Sequence, residues 1–384
     1  MKHSLFLMIL LLSLSCTSRS QAKRDSIIDT LSDSLSATDS ISPTDTLRLL
    51  FVGDLMQHQG QINAARTSTG YDYSTCFTYV KEEIGRADLA IANLEVTLGG
   101  KPYKGYPAFS APDEFLTAIH DAGFNVLVTA NNHSLDRGKS GLERTIQLID
   151  SLKIPHAGTY INTEERDKKY PLLLEKNGFR IALLNYTYGT NGIPVTPPNI
   201  VNYIDTAIIA KDIEVSKTLH PDAIIACMHW GIEYQSLPDK EQKFLTDWLL
   251  RKGVNHIIGC HPHVVQPIEV REDSLTNEKH LVVYSLGNYI SNMSARRTDG
   301  GLMVRMELVK DSTVRLNNCE YSLVWTARPI QSGKKNHQLL PVNFPIDSIP
   351  LQARNSLKIF TNDARTLFNK HNQGIKEYTF FEKK

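Results

Sequence analysis

Leu89-Ala90-Ile91-Ala92-Asn93-Leu94-Glu95 is an apolar run of strand character that closes on an amide and a carboxylate. Five further stretches repeat the arrangement. Leu49-Leu50-Phe51-Val52 ends in Gly53-Asp54, Val126-Leu127-Val128 leads to Asn131-Asn132-His133, and Ile224-Ile225-Ala226 leads to His229-Trp230-Gly231. His256-Ile257-Ile258 leads to His261-Pro262-His263, and Leu281-Val282-Val283-Tyr284 to Gly287-Asn288. Continuous apolar runs of this length fit strands buried on both faces. Open α/β sheets place their sites at the carboxyl ends of such strands. Six strand ends carrying Asp, Glu, Asn and His predict one rim with the donor set of a hard-to-borderline divalent cation.

Working outward, strand and helix signals alternate. A helix is expected near 73–86. A second opens at Pro112-Asp113-Glu114 and stops at Gly123, and a third spans about 138–152 with Leu142, Ile146 and Ile149 at helical spacing. This β-α-β order implies a mostly parallel sheet with right-handed crossovers. Asn177-Gly178 between two strand-like runs marks a hairpin. Helices follow at 203–219 and 239–252. Strands are expected at 254–259, 264–271 and 279–285, with an antiparallel pair near 301–309 and 313–324. The fold class is α/β: two packed sheets with helices outside. The organisation expected is a signal segment 1–15, a tether 16–46, a domain 47–330 and a C-terminal extension 331–384. The extension carries one helix, 351–371, with Leu351, Leu357, Phe360 and Phe368 as packing residues.

The amino terminus has a charged start, a short apolar core from Leu5 to Leu14 and small residues before Cys16. That pattern describes a secretory signal with a lipidated Cys16, and it is too short to span a bilayer, which takes about 20 apolar residues. The Ser-, Thr- and Asp-rich stretch after it cannot bury enough apolar surface to order itself. The expectation is an exported, membrane-anchored lipoprotein of the cell envelope that faces the periplasm. Lys and Arg number 42 and Asp and Glu 41, a net charge of +1, so no field favours nucleic acid. Cys76, Cys227, Cys260 and Cys319 remain, and no essential disulfide is expected among them.

Taken singly, the polar residues have ordinary explanations. Asp54 can start a turn, Glu95 can face solvent, and Asn132 or Asp136 can cap a helix. His229 can be a hydrogen-bonded core residue, and a structural reading of Asn288 is at least as good as a substrate-binding one. Jointly they point to chemistry. A carboxylate such as Glu95 can bridge two cations. His133 is the candidate acid or oxyanion stabiliser, with Asp136 placed to hold its ring. Glu233 is the candidate to orient His229, and Asn93 and Asn288 are candidates to bind substrate or fix a ligand. His261-Pro262-His263 is the most specific motif, because a Pro-containing turn can present both rings to one centre.

Gly53-Asp54, Asn93-Leu94-Glu95, Ala130-Asn131-Asn132-His133, His229-Trp230-Gly231 with Glu233, His261-Pro262-His263-Val264 and Ser285-Leu286-Gly287-Asn288 occur in an order that resembles the CapA-type poly-γ-glutamate capsule synthesis proteins. These are a branch of the calcineurin-like metallophosphoesterase superfamily. The resemblance covers about residues 47–310. It implies two stacked mixed β-sheets flanked by helices, a four-layer αββα sandwich. It also implies one or two divalent ions (Mn, Zn or Fe). Asp54, Glu95 and His263 would hold one, and Glu95, Asn132, His229 and His261 the other. Water activated by the cations would be the nucleophile in hydrolysis of a phosphoester or an amide-linked polymer. Met56 stands where the wider superfamily has a histidine and Glu95 where it has a bridging aspartate, so one metal position lacks a ligand unless His58 or water supplies it. The implied partners are an anionic polymer or phosphoester substrate and a membrane synthase or export complex. A non-catalytic role in polymer export or assembly is the competing reading.

Overall fold

The computed structural model describes residues 45–381; Cys16, the signal segment and the tether up to residue 44 lie outside them, while positions 45 and 46, expected as the end of the tether, open the first strand. The first strand, β1 (Asp45–Leu55), leads through α1 (Gln59–Ala65) and a run of turns to α2 (Lys81–Ile84) and β2 (Leu89–Leu94). Then come α3 (Asp113–Ala122), β3 (Val126–Val128), α4 (Gly138–Ser151) and the short strands β4 (His156–Ala157) and β5 (Thr159–Tyr160). After α5 (Thr163–Lys169), the hairpin β6 (Leu172–Lys176) and β7 (Phe179–Thr187) turns at Asn177 and Gly178, both left-handed. The chain continues through β8 (Ile200–Val201), α6 (Thr206–Thr218), β9 (Ala223–His229), α7 (Lys240–Lys252) and β10 (His256–Cys260). Strands β11 (Ile268–Glu272), β12 (Lys279–Val283), β13 (Asn288–Ile290), β14 (Gly300–Lys310) and β15 (Val314–Ala327) follow. The chain closes with α8 (Pro329–Ser332), β16 (Gln338–Pro341), α9 (Leu351–His371) and β17 (Lys376–Glu377).

Two mixed sheets result. The nine-stranded one runs β16-β15-β14-β1-β2-β3-β4, with β13 beside the end of β1 and β17 beside β15; the six-stranded one runs β11-β12-β10-β9-β7-β6. Side chains alternate across β1 as a strand requires. Leu47, Leu49 and Phe51 join Ile181, Leu183, Ile225 and Ile258 in the core between the sheets. Leu50 and Val52 face outward onto Phe115 and Ile119 of α3. The outer face of the second sheet packs on Ile209 and Ile213 of α6 and on Leu245 and Leu249 of α7. The layers are therefore helix, sheet, sheet, helix.

Most expected elements form, and three places differ. Residues 74–80 are turns, with Cys76 N–H bonding Tyr73 O and Val80 N–H bonding Phe77 O, so only Lys81–Ile84 is helical. Thr75 and Thr78 favour helix poorly, while Tyr73, Phe77 and Val80 still reach the core. Strand β11 starts at Ile268 rather than 264, after Pro267, which has no N–H for a ladder. Leu351, expected to pack, is 77% exposed at the start of α9, whereas Leu357, Phe360 and Phe368 join the core.

The stretch 331–384 supplies β16 and β17 to the nine-stranded sheet and lays α9 against β15, where Phe368 meets Tyr321 at 4.9 Å between ring centroids. Cys76, Cys227, Cys260 and Cys319 are buried and free. Among the described residues, no helix is long and apolar enough to cross a membrane.

Candidate metal centre

The carboxyl ends of β1, β2, β3, β9 and β10 meet at one rim. The ladder from β1 to β2 slips between Val52 and Asp54, and this bulge at Gly53 turns Asp54 into the rim. Only glycine fits there, because a Cβ at Gly53 would stand 1.9 Å from Gly287 O. Asp54 N–H donates to that same carbonyl, and β13 pairs with the last residues of β1, setting Asn288 opposite Asp54.

The sequence candidates converge. Asp54, Glu95 and His229 each offer a ligand atom within 4.8 Å of the others, and so do Glu95, His261 and His263. Glu95 is common to both groups, although they divide the residues differently from the family pattern. His263 Nδ1 lies 3.3 Å from Asp54 Oδ2 and 3.0 Å from Asn288 Oδ1, and its Nε2 is 3.9 Å from Glu95 Oε1. His229 Nε2 lies 2.9 Å from Asn132 Oδ1 and 3.7 Å from Glu95 Oε1. The His229 and His261 rings are 4.8 Å apart.

The charges are arranged for a cation. Asp54 and Glu95 are wholly buried. Asp54 Oδ2, both oxygens of Glu95 and His261 Nδ1 meet no hydrogen-bond partner. Buried polar atoms are almost always paired, and a lone buried carboxylate is costly. Burial, with the Asp54 charge added, pushes the Glu95 carboxyl well above its usual range. Burial alone would raise Asp54 too, but the imidazole of His263 close beside it and its charge hold it below the usual value. The same pair raises His263 against its burial, while burial drives His261 down to about 3 and His229 well below its ordinary value. Neutral imidazoles and orphaned carboxylate oxygens are the donor set a divalent cation takes.

Beside the cluster, His133 Nδ1 lies 2.7 Å from Asp136 Oδ2. That oxygen also accepts the Phe109 N–H at 2.7 Å, and the Phe109 ring packs edge-on to His133 at 4.6 Å. Two expected roles change. Glu233 is exposed and makes no hydrogen bond to His229; Asn93 stands there instead, its Nδ2 donating to Asp54 Oδ1 at 2.8 Å and lying 3.4 Å from His229 Nδ1. His58 belongs to neither ligand group: its ring packs on Phe109 at 5.2 Å and its Nδ1 meets the Asn292 N–H at 3.4 Å. Met56 is buried in the cluster outside the nine-stranded sheet.

Asn131 stood in a strand-end motif without a role of its own, and two contributors, Phe109 and Tyr188, escaped the sequence reading. Asn131 bonds Asn93 Oδ1 and Leu94 O through its Nδ2, and Phe109 packs on His133. Tyr188 places its ring 4.5 Å from His261. Tyr188 follows the end of β7, so the strand-end rule that found the others could have reached it; Phe109 sits in a loop with no such signal.

Residues 48–293 match the family described as bacterial capsule synthesis protein PGA_cap. The chain is 27% identical over 300 residues to a capsule biosynthesis protein CapA of Bacillus anthracis, covering 73% of this chain and 69% of that protein. It is 29% identical over 280 residues to a PGA biosynthesis protein CapA of Bacillus subtilis, covering 71% and 70%. Among solved structures, the calcineurin-like phosphoesterase YfkN of Bacillus subtilis aligns at a TM-score of 0.44 and 13% identity, covering 73% of this chain and 91% of that one. The fold stands on its own strand order.

Proposed function

The chain belongs to the bacterial capsule synthesis protein family, and from that premise we propose that it is a cell-envelope protein of capsule biosynthesis whose rim site is a divalent-metal-dependent hydrolase of a phosphoester or an amide-linked polymer. The observation that carries the reading is the pair of buried carboxylates, Asp54 and Glu95, whose free oxygens face three imidazoles and no protein donor.

Asp54, Glu95, Asn132, His229, His261 and His263 would hold one or two cations, of Mn, Zn or Fe. Bound there, divalent cations supply Lewis-acid activation of water and of the scissile group. The chain's own groups do the rest. Asn93 fixes Asp54 and faces His229. Asp136 holds His133 through Nδ1, which leaves Nε2 to give or take a proton. Phe109 fixes Asp136 through its N–H and shields the imidazole with its ring. An anionic polymer or a phosphoester is the proposed substrate, and a membrane synthase or export complex the proposed partner. The proposed tether is a lipid on Cys16; Cys16→Ala should then move the protein from the membrane fraction to the soluble one.

The test is hydrolysis by the purified protein with Mn²⁺ or Zn²⁺. His133→Ala should lower kcat by about 10²–10⁴ with metal content unchanged, and Glu95→Ala should lose both metal and activity. Full activity in both variants removes the proposal. One observation favours a non-catalytic export or assembly role: Met56 faces away into an apolar cluster and His58 does not replace it, so one metal position is a ligand short. That role predicts that variants of the cluster still support capsule assembly.

A further inference from the structure

A cavity of about 230 Å³ adjoins the candidate centre on the side of α9. Its walls are Ser236, Val265, Arg297, Asp363 and Lys370, over a floor that includes Phe360. The link to the centre is short. Ser236 is two residues from Tyr234, whose N–H bonds Pro262 O and whose ring lies 6.1 Å from that of His263. Val265 is two residues from His263, and two residues of chain span at most about 7 Å.

The charges in this cavity are unevenly matched. Asp363 is taken by Arg296, whose Nε and Nη2 reach its two oxygens at 2.6 and 2.7 Å. Arg297 is left with a 3.4 Å contact to the same carboxylate and a 3.1 Å bond from Nη1 to Ser236 Oγ. The Lys370 ammonium makes no hydrogen bond or ion pair with a described residue. Its place in the last turn of α9 complements the helix dipole, but Arg297 lies on a separate loop and lines the same space. Arg297 also holds a left-handed backbone, φ +75°, as do Tyr234 (+67°), His261 (+102°) and His263 (+58°). Strain of this kind in non-glycine residues gathers at functional sites, and here four such residues run from the candidate centre to the cavity.

We propose that the cavity is a second binding subsite that takes an oxyanion group of the substrate, a carboxylate or a phosphate, one unit away from the bond held at the rim. Arg297 contributes its planar fork and Lys370 a point charge. The proposal rests on the reading of the rim as a hydrolytic centre, and its test is separable from that reading. Binding of glutarate and of inorganic phosphate is measured by calorimetry on metal-free wild-type protein, Arg297→Gly, Lys370→Glu and Glu95→Gln. Glycine accepts the φ of Arg297, and Lys370 is exposed on a helix, so a folded variant is available from at least one of the two.

The expected result is saturable binding of at least one probe, weakened tenfold or more in Arg297→Gly or Lys370→Glu and unchanged in Glu95→Gln. Binding of glutarate alone identifies a carboxylate group, of phosphate alone a phosphate group, and of both a general oxyanion pocket. The proposal is overturned if neither probe binds, if both cavity variants bind like wild type, or if Glu95→Gln abolishes binding. Loss of hydrolysis in Glu95→Gln with probe binding intact bears only on the rim.

Discussion

Two buried polar clusters in this molecule are built on opposite principles. Outside the six-stranded sheet, Asp212 Oδ2 accepts from Arg166 Nη2 at 2.7 Å and from Tyr186 O–H at 2.8 Å, Arg166 Nε donates to Asn202 Oδ1, and the guanidinium lies 4.7 Å over the Tyr170 ring. Every charge there meets a protein partner. At the rim, Asp54 and Glu95 are buried more deeply, yet three of their four oxygens meet none. The first cluster is complete as folded and serves the fold. The second is complete only with something the chain does not encode, and burial holds two of its imidazoles, those of His229 and His261, in the neutral form that ligates a cation. A deficit of partners, more than burial itself, separates a binding site from a structural network.

The contrast predicts different responses to damage. Removing a partner from the closed cluster leaves a buried charge exposed to the apolar interior. Arg166→Ala should cost about 3 kcal/mol of unfolding free energy, read by urea denaturation and the same with or without added metal. The open cluster should behave the other way. Glu95→Gln should leave metal-free stability unchanged or higher. It should also remove the gain of about 2.7 kcal/mol that a cation at 100 times its Kd contributes to wild type. A large loss of metal-free stability in Glu95→Gln would place Glu95 in the closed class.

His256 sharpens the comparison further. It is buried, its Nδ1 accepts the Leu281 N–H at 3.0 Å, and burial, aided by the His280 charge, pushes its imidazole down to about 3. A depressed value means that the contribution is fully present above the unfolded value near 6.5 and is lost as pH falls from there toward 3. At pH 5 the loss is about 2 kcal/mol, from roughly 1.5 pH units at about 1.36 kcal/mol each. Denaturation at pH 7 and pH 5 should show this slope in wild type and a shallower one in His256→Asn. At the small end, Arg48 and Glu307 pair at 3.6 Å on the surface, Arg48 being 63% exposed. Arg48→Ala should change stability by about 0.5 kcal/mol or less, whatever the pH or metal.

What the sequence disclosed follows the same division. Strand ends were legible because an apolar run and its terminal polar residue are neighbours in sequence, so Asp54, Glu95, His229 and His261 could be assigned to one rim before any coordinates. Helix α9 was legible by its period over 351–371. Contacts set at long range were not. Glu233, close in sequence to His229, looked like its orienting partner, whereas Asn93, 136 residues away, holds that place. The turns at 74–80 keep, together with Tyr73, helical spacing of their apolar residues, so periodicity alone could not separate them from a helix. Nor did any local signal tell that β16, β17 and α9 close the nine-stranded sheet.

The most direct test is the divalent metal content of the full chain, measured by plasma mass spectrometry after purification without chelator and repeated on Glu95→Gln. The account predicts one or two ions per wild-type chain and a marked loss in the variant, with the fold intact by circular dichroism. Wild-type protein that holds no divalent ion even after Mn²⁺ or Zn²⁺ is supplied, or a variant that holds as much as wild type, would contradict it.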